Sequence, residues 1–84
     1  MTDSGKATKS AMLGVIKDIG DYIAIVQKEL EMIRQDAENL SGSWDDDQFG
    51  NFLDCVRYTE ASLSRELDDL ADVRHELQRK VGLM

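Results

Sequence analysis

Asp72 and His75 stand three residues apart, the spacing at which a carboxylate and an imidazole on one helix can share a metal ion. Such ligands must point into a bundle. With Leu70 as the inward reference, Asp72 and His75 fall about 200° and 140° around the helix, on its outer side. The pair reads as a solvated surface. Cys55, the single cysteine, has no histidine at helical spacing to activate it as a nucleophile. It flanks Val56 and is expected to act as a small, half-buried hydrophobe. The run Asp45, Asp46, Asp47 lacks the glycine-centred loop and distal glutamate of a calcium hand, and suits the first turn of a helix better. There is no glycine-rich phosphate loop and no inward-facing acid–base pair. The expectation is a protein that is not an enzyme, with no catalytic residues, no metal ligands and no cofactor.

The elements that carry these residues are those of a small helical chain. Its 84 residues allow one domain, 1–84, with a thin core of its own. One cysteine excludes an internal disulfide, which fits a reducing compartment or export without oxidation. A net charge of −7 argues against nucleic acid and against an anionic membrane surface. The longest apolar run is YIAIV, residues 22–26, far short of the roughly 18 residues that span a bilayer. MTDSGKATKS carries no apolar signal region, so the chain is expected in the cytoplasm, any export following a signal-peptide-independent route. Proline is absent, which permits long uninterrupted helices.

From residue 12 to 44 the apolar positions step by four and three: Met12, Ile16, Ile19, Ile23, Val26, Leu30, Ile33, Ala37, Leu40, Trp44. A repeat of this length predicts a helix packed along its whole length. Val15, Tyr22, Ile25 and Met32 lie beside that seam and widen the apolar face to about 160°, more than one partner helix covers. A second helix carries Phe49, Val56, Leu63, Leu70, Leu77 and Met84 at seven-residue steps. Its companion stripe of Phe52, Leu53, Leu67, Val73 and Val81 is interrupted by Thr59, Glu60 and Arg74, and the last two are candidates for setting register or partner choice. Gly14 and Gly20 inside helix 1 either admit a close neighbour or are tolerated surface residues.

The break lies in LSGSWDDDQFGNF, residues 40–52. Gly42 is expected to end helix 1 in the left-handed conformation, and Ser43 to cap helix 2 with Asp46 three residues on. The prediction is helix 1 at about 6–40, a turn at 41–44 and helix 2 at about 45–81, with the residues up to about Lys6 frayed. Each arm of about 35 residues spans roughly 50 Å. The fold expected is all-α: an antiparallel hairpin whose leftover apolar stripe pairs with a second hairpin in a four-helix bundle, as homo- or heterodimer. Val15, Ile19, Tyr22, Ile25, Val26, Met32 and Ile33 are the expected partner interface. Trp44 ends the helix 1 seam, so it is either a plug for the open end of the bundle or a recognition residue, and the two roles can coexist.

A small acidic hairpin with Trp44 at the hinge and Phe52 eight residues later resembles the WXG-motif family of small type VII secretion substrates and their relatives. WDDDQFGNF looks like the W-x-D-x-Q-x-x-x-F variant of WXG-like small proteins of Gram-positive bacteria, carried here by Trp44, Asp46, Gln48 and Phe52. The resemblance spans the chain in length and layout, and its specific part is under ten residues. It implies dimeric four-helix bundles exported folded, with or for a larger effector. Two features depart from it. The glycine two residues after the tryptophan is Asp46, with Gly42 before the tryptophan instead, and Tyr58 is followed four residues on by Ser62 where the export signature has an acid. A partner carrying that signature would make this chain an adaptor or co-substrate. The expected partners are another helical hairpin, self or sister, or the helical domain of a secreted effector, with no nucleic acid and no membrane insertion. The alternative is a cytosolic coiled-coil interaction module unrelated to secretion.

Overall fold

The computed structural model describes residues 2–44 and 47–84, with side chains from Gly5 onward. It is an all-α hairpin of two helices, α1 Thr2–Leu40 and α2 Asp47–Gly82, packed antiparallel in a rod with Cα extents of 66 × 15 × 14 Å. The four-three apolar rhythm produces this packing. The innermost side chains are Ile16 and Ala37 of α1 and Leu67 of α2, and Ile19, Ile23, Val26, Leu30, Val56, Leu63, Leu70 and Leu77 are half-buried around them. α1 begins at Thr2 and not near residue 6. The segment holds no proline to break a helix.

The end of α1 departs from the expected left-handed cap. Gly42 does not adopt a positive φ. α1 instead tightens into i to i+3 bonds, with the N–H groups of Ser41, Gly42 and Ser43 donating to the carbonyls of Glu38, Asn39 and Leu40 at 3.1, 3.3 and 3.0 Å. The Trp44 N–H adds a 2.8 Å bond to the Leu40 carbonyl. The described part of α2 begins at Asp47, and the N–H groups that Ser43 would cap belong to Asp45 and Asp46, outside the described residues. The Ser43 hydroxyl donates backwards to the Leu40 carbonyl at 3.4 Å, and that of Ser41 to the Glu38 carbonyl at 2.6 Å. These bonds satisfy the carbonyls of Glu38, Asn39 and Leu40 at the end of α1, which has no basic residue in its last turn, so a left-handed residue is not required. Asp45 and Asp46, the expected start of helix 2 and the acidic capping residue, lie outside the described residues. At the other end of α2, Arg79 and Lys80 stand in the last turn, where the helix dipole favours cations.

Two helices leave much of the chain uncovered. The accessible surface is 6523 Å². A compact folded monomer of this mass exposes about 5,000 Å². The excess is roughly 1,500 Å², nearly twice the ~800 Å² that one partner contributes to a standard interface.

Candidate partner interface

Part of the exposed apolar surface forms a strip along α1, while Leu13, Tyr58 and Leu83 are exposed elsewhere. Val15, Tyr22, Ile25, Met32 and Ile33 of α1 are 46%, 52%, 60%, 47% and 51% exposed. Ile19 and Val26, also expected at the partner interface, are half-buried and turn towards α2. Ile33 was expected in the seam as well, yet it opens onto a groove. The groove is about 210 Å³ in volume, with Leu30 and Ile33 on one wall and Cys55, Val56, Thr59, Glu60 and Leu63 on the other. The cause is a size mismatch: Cys55 and Thr59 are too small to cover a branched aliphatic side chain. Cys55 is accordingly exposed, not half-buried as its place beside Val56 suggested. Further along the same side Val15, Ile19 and Tyr22 line a second groove with Leu70, and Asp18 stands at its edge.

Seven-residue steps show what borders this face. On α1, Val15 and Tyr22 continue as Glu29 and Asp36, and Ile25 and Met32 are preceded by Asp18. On α2, Thr59 continues as Glu66, Val73 and Lys80, and Cys55 as Ser62, Asp69 and Glu76. Val73 is half-exposed and extends the apolar strip. Within these columns the charged positions are acidic apart from Lys80, while Lys28, three residues after Ile25 and four before Met32, flanks them on the outer side of α1. The opposite side is different. Its grooves are lined by Lys17, Arg34, Arg57 and Arg74 among Asp21, Glu38 and Glu60, a mixture of signs.

That mixed side also holds the polar tie between the helices. Arg74 Nε donates to the Ile16 carbonyl at 3.1 Å. Gly20 makes room for it, since a Cβ there would stand 3.3 Å from the same nitrogen. Gly14 has open space around it. The glycine spacing thus served one close neighbour, a side chain of the same hairpin. Three exposed pairs complete the ionic contacts among the described residues: Lys17 with Asp21 at 2.7 Å, Arg34 with Glu31 at 2.6 Å and Arg79 with Glu76 at 2.5 Å. The hydrogen bond to Asp21 raises the Lys17 pKa, and the hydrogen bond from Arg79 holds the Glu76 carboxyl below its ordinary value.

At the hinge the motif aromatics meet. Trp44 lies 5.4 Å from Phe52 and 5.5 Å from Phe49, centroid to centroid, the latter edge-on, and the two phenylalanines are 6.4 Å apart. These are favourable aromatic geometries. Trp44 is half-buried by them, whereas Gly42 and Gln48 are exposed and Asp46 lies outside the described residues. Leu40 stays 40% exposed, so the ring cluster sits chiefly on the first turns of α2. Asp72 and His75 are both exposed. Among the described residues no three His, Cys, Asp or Glu side chains gather as metal ligands, and no helix is long and apolar enough to cross a membrane. No protein-family model, curated protein or solved structure matches this chain.

Proposed function

We propose that this chain works by binding protein, as a WXG-like helical partner in a bacterial type VII secretion system. It acts there as co-secreted partner, adaptor or chaperone for an effector, pairing hairpin to hairpin in a four-helix bundle. The observation that carries the pairing is the exposed apolar face of Val15, Tyr22, Ile25, Met32 and Ile33, on a hairpin whose buried core among the described residues is Ile16, Ala37 and Leu67. An apolar strip of this length with polar borders is the surface of a helix that another helix covers. The contact of Trp44 with Phe52 supports the secretion reading, because those two rings are the aromatics of the motif.

The experiment is to follow a tagged chain in its cell of origin, with and without the secretion ATPase. Recovery of the chain, or of a helical protein bound to it, in the medium only when the ATPase is present is the expected result. Pairing without any dependence on the ATPase would move the chain to the second reading, a cytosolic oligomerisation module. That reading is favoured by Ser62, which stands where an export signature led by Tyr58 needs an acid.

A further inference from the structure

From the charges around the exposed face we infer that its occupant is a helix with basic borders, not a second copy of this chain. The inference rests on the reading that this face pairs. Five carboxylates border the apolar strip: Asp18, Glu29 and Asp36 from α1, Glu66 and Asp69 from α2. All five are exposed, and none forms a salt bridge with a described residue. Glu76 belongs to the same border but is already paired with Arg79. Among the described residues in these columns the cation is Lys80, near the C-terminal end of α2, and Lys28 and Arg65 stand in the next columns outward, so the five carboxylates outnumber the cations beside the strip.

A two-fold dimer uses the same patch twice, so this border would face itself. Carboxylate would then meet carboxylate whether the hairpins ran parallel or antiparallel, on chains that each carry −7. Like charges brought together at the border of an apolar contact act against the wrong partner, and opposite charges steer the right one. The complementary occupant is an amphipathic helix with lysine or arginine beside its apolar seam and a branched or aromatic side chain for the groove between Ile33 and Cys55.

The test uses the chain as its own probe. In one variant Asp18, Glu29, Asp36, Glu66 and Asp69 are all changed to Lys; in another the aspartates become Asn and the glutamates Gln. All five positions are exposed on helices, so both variants keep the apolar seam. Sedimentation at low salt should find the wild type chiefly monomeric at about 10 µM. A mixture of wild type with the lysine variant should form a 1:1 complex at least tenfold tighter than wild type with itself. That advantage should shrink at about 1 M salt, where charges are screened beyond roughly 3 Å. The neutral variant should self-associate at least tenfold more tightly than wild type. Wild type pairing with itself as tightly as with the lysine variant would overturn the basic partner and leave pairing intact. Association in none of the mixtures, the neutral variant included, would overturn the pairing reading as well.

Discussion

The guanidinium of Arg74 lies over Gly20, and a methyl group on Gly20 would stand 3.3 Å from its Nε and 3.4 Å from its Cζ. This contact gives Gly20 a role that Gly14 lacks. In a helix interior alanine is favoured over glycine by about 1 kcal/mol. Gly14→Ala meets open space and should collect that gain, raising the helix-melting midpoint by about 4 °C or more. Gly20→Ala collects the same propensity but pushes Arg74 from the Ile16 carbonyl, a hydrogen bond worth about 1 kcal/mol. The two terms nearly cancel, so its midpoint should stay close to wild type. Circular dichroism melts of the two variants side by side are the check, and equal increases would mean that the Arg74 contact does not hold.

Glu76 and Arg79 give a pH-dependent contact in the last turns of α2. The hydrogen bond from Arg79 holds the Glu76 carboxyl below its ordinary value, so folding favours the ionised form. The contribution is present above the unfolded-state value and lost as pH falls through the lowered folded one. Both groups are exposed, and the contribution to stability is slight. The sharper readout is local. An NMR titration should place the Glu76 carboxyl midpoint below that of an unstructured glutamate peptide, and Arg79→Ala should bring the two together. Coincident midpoints in the unmodified chain would remove the pair.

The apolar face separates stability from pairing. Tyr22 and Ile25 are more than half exposed, so Tyr22→Ser and Ile25→Ser should move the melting midpoint of the isolated hairpin little, within about 0.5 kcal/mol. Each side chain contributes about 1.5–3 kcal/mol when a partner buries it fully. Either variant should therefore weaken pairing about tenfold or more, as read by titration with the lysine-bordered variant. Leu67→Ala should do the opposite, because Leu67 is 6% exposed in the core. Its loss of about 2–5 kcal/mol rivals the whole stability of a chain this small and should unfold the isolated hairpin. Tyr22→Ser unfolding the hairpin while leaving pairing unchanged would reverse the assignment of these two surfaces.

The two helices were legible because α1 carries an unbroken four-three rhythm and α2 an unbroken seven-residue stripe, and Val15, Tyr22, Ile25 and Met32 stood beside the first as surplus. Ile33 and Cys55 show what the rhythm leaves open. Heptad position tells which way a side chain leans, but its burial depends on the size of the residue opposite, and Thr59 is small. Gly42 looks like a left-handed cap in sequence, yet a helix end has several ways to satisfy its carbonyls, and α1 uses i to i+3 bonds and two serine hydroxyls. The reach of Arg74 to Ile16 depends on a long side chain crossing between helices, which spacing along one helix does not encode.

Trp44 carries the last prediction, because its two proposed roles have different signatures. Its ring packs on Phe49 and Phe52, and each aromatic pair is worth about 0.5–1.5 kcal/mol beyond the area it buries. A fully buried aromatic changed to alanine costs about 3–5 kcal/mol. Trp44 is half-buried, so Trp44→Ala should cost about 2–3 kcal/mol. That is enough to lower the melting midpoint by about 10 °C. The helices keep their own bonding: α1 is closed by the Ser41 and Ser43 bonds, and α2 begins with Asp47 in its first turn. Most helicity should therefore survive in the cold. Trp44→Phe retains a ring against Phe49 and Phe52 and should recover at least half of the lost midpoint. A role in recognition alone predicts an unshifted melt in Trp44→Ala with loss of partner recruitment or export, and loss of both in Trp44→Phe if the indole itself is read. Melting and pairing measured on the same two variants distinguish these outcomes, and an unchanged midpoint in Trp44→Ala would end the structural role of the ring cluster.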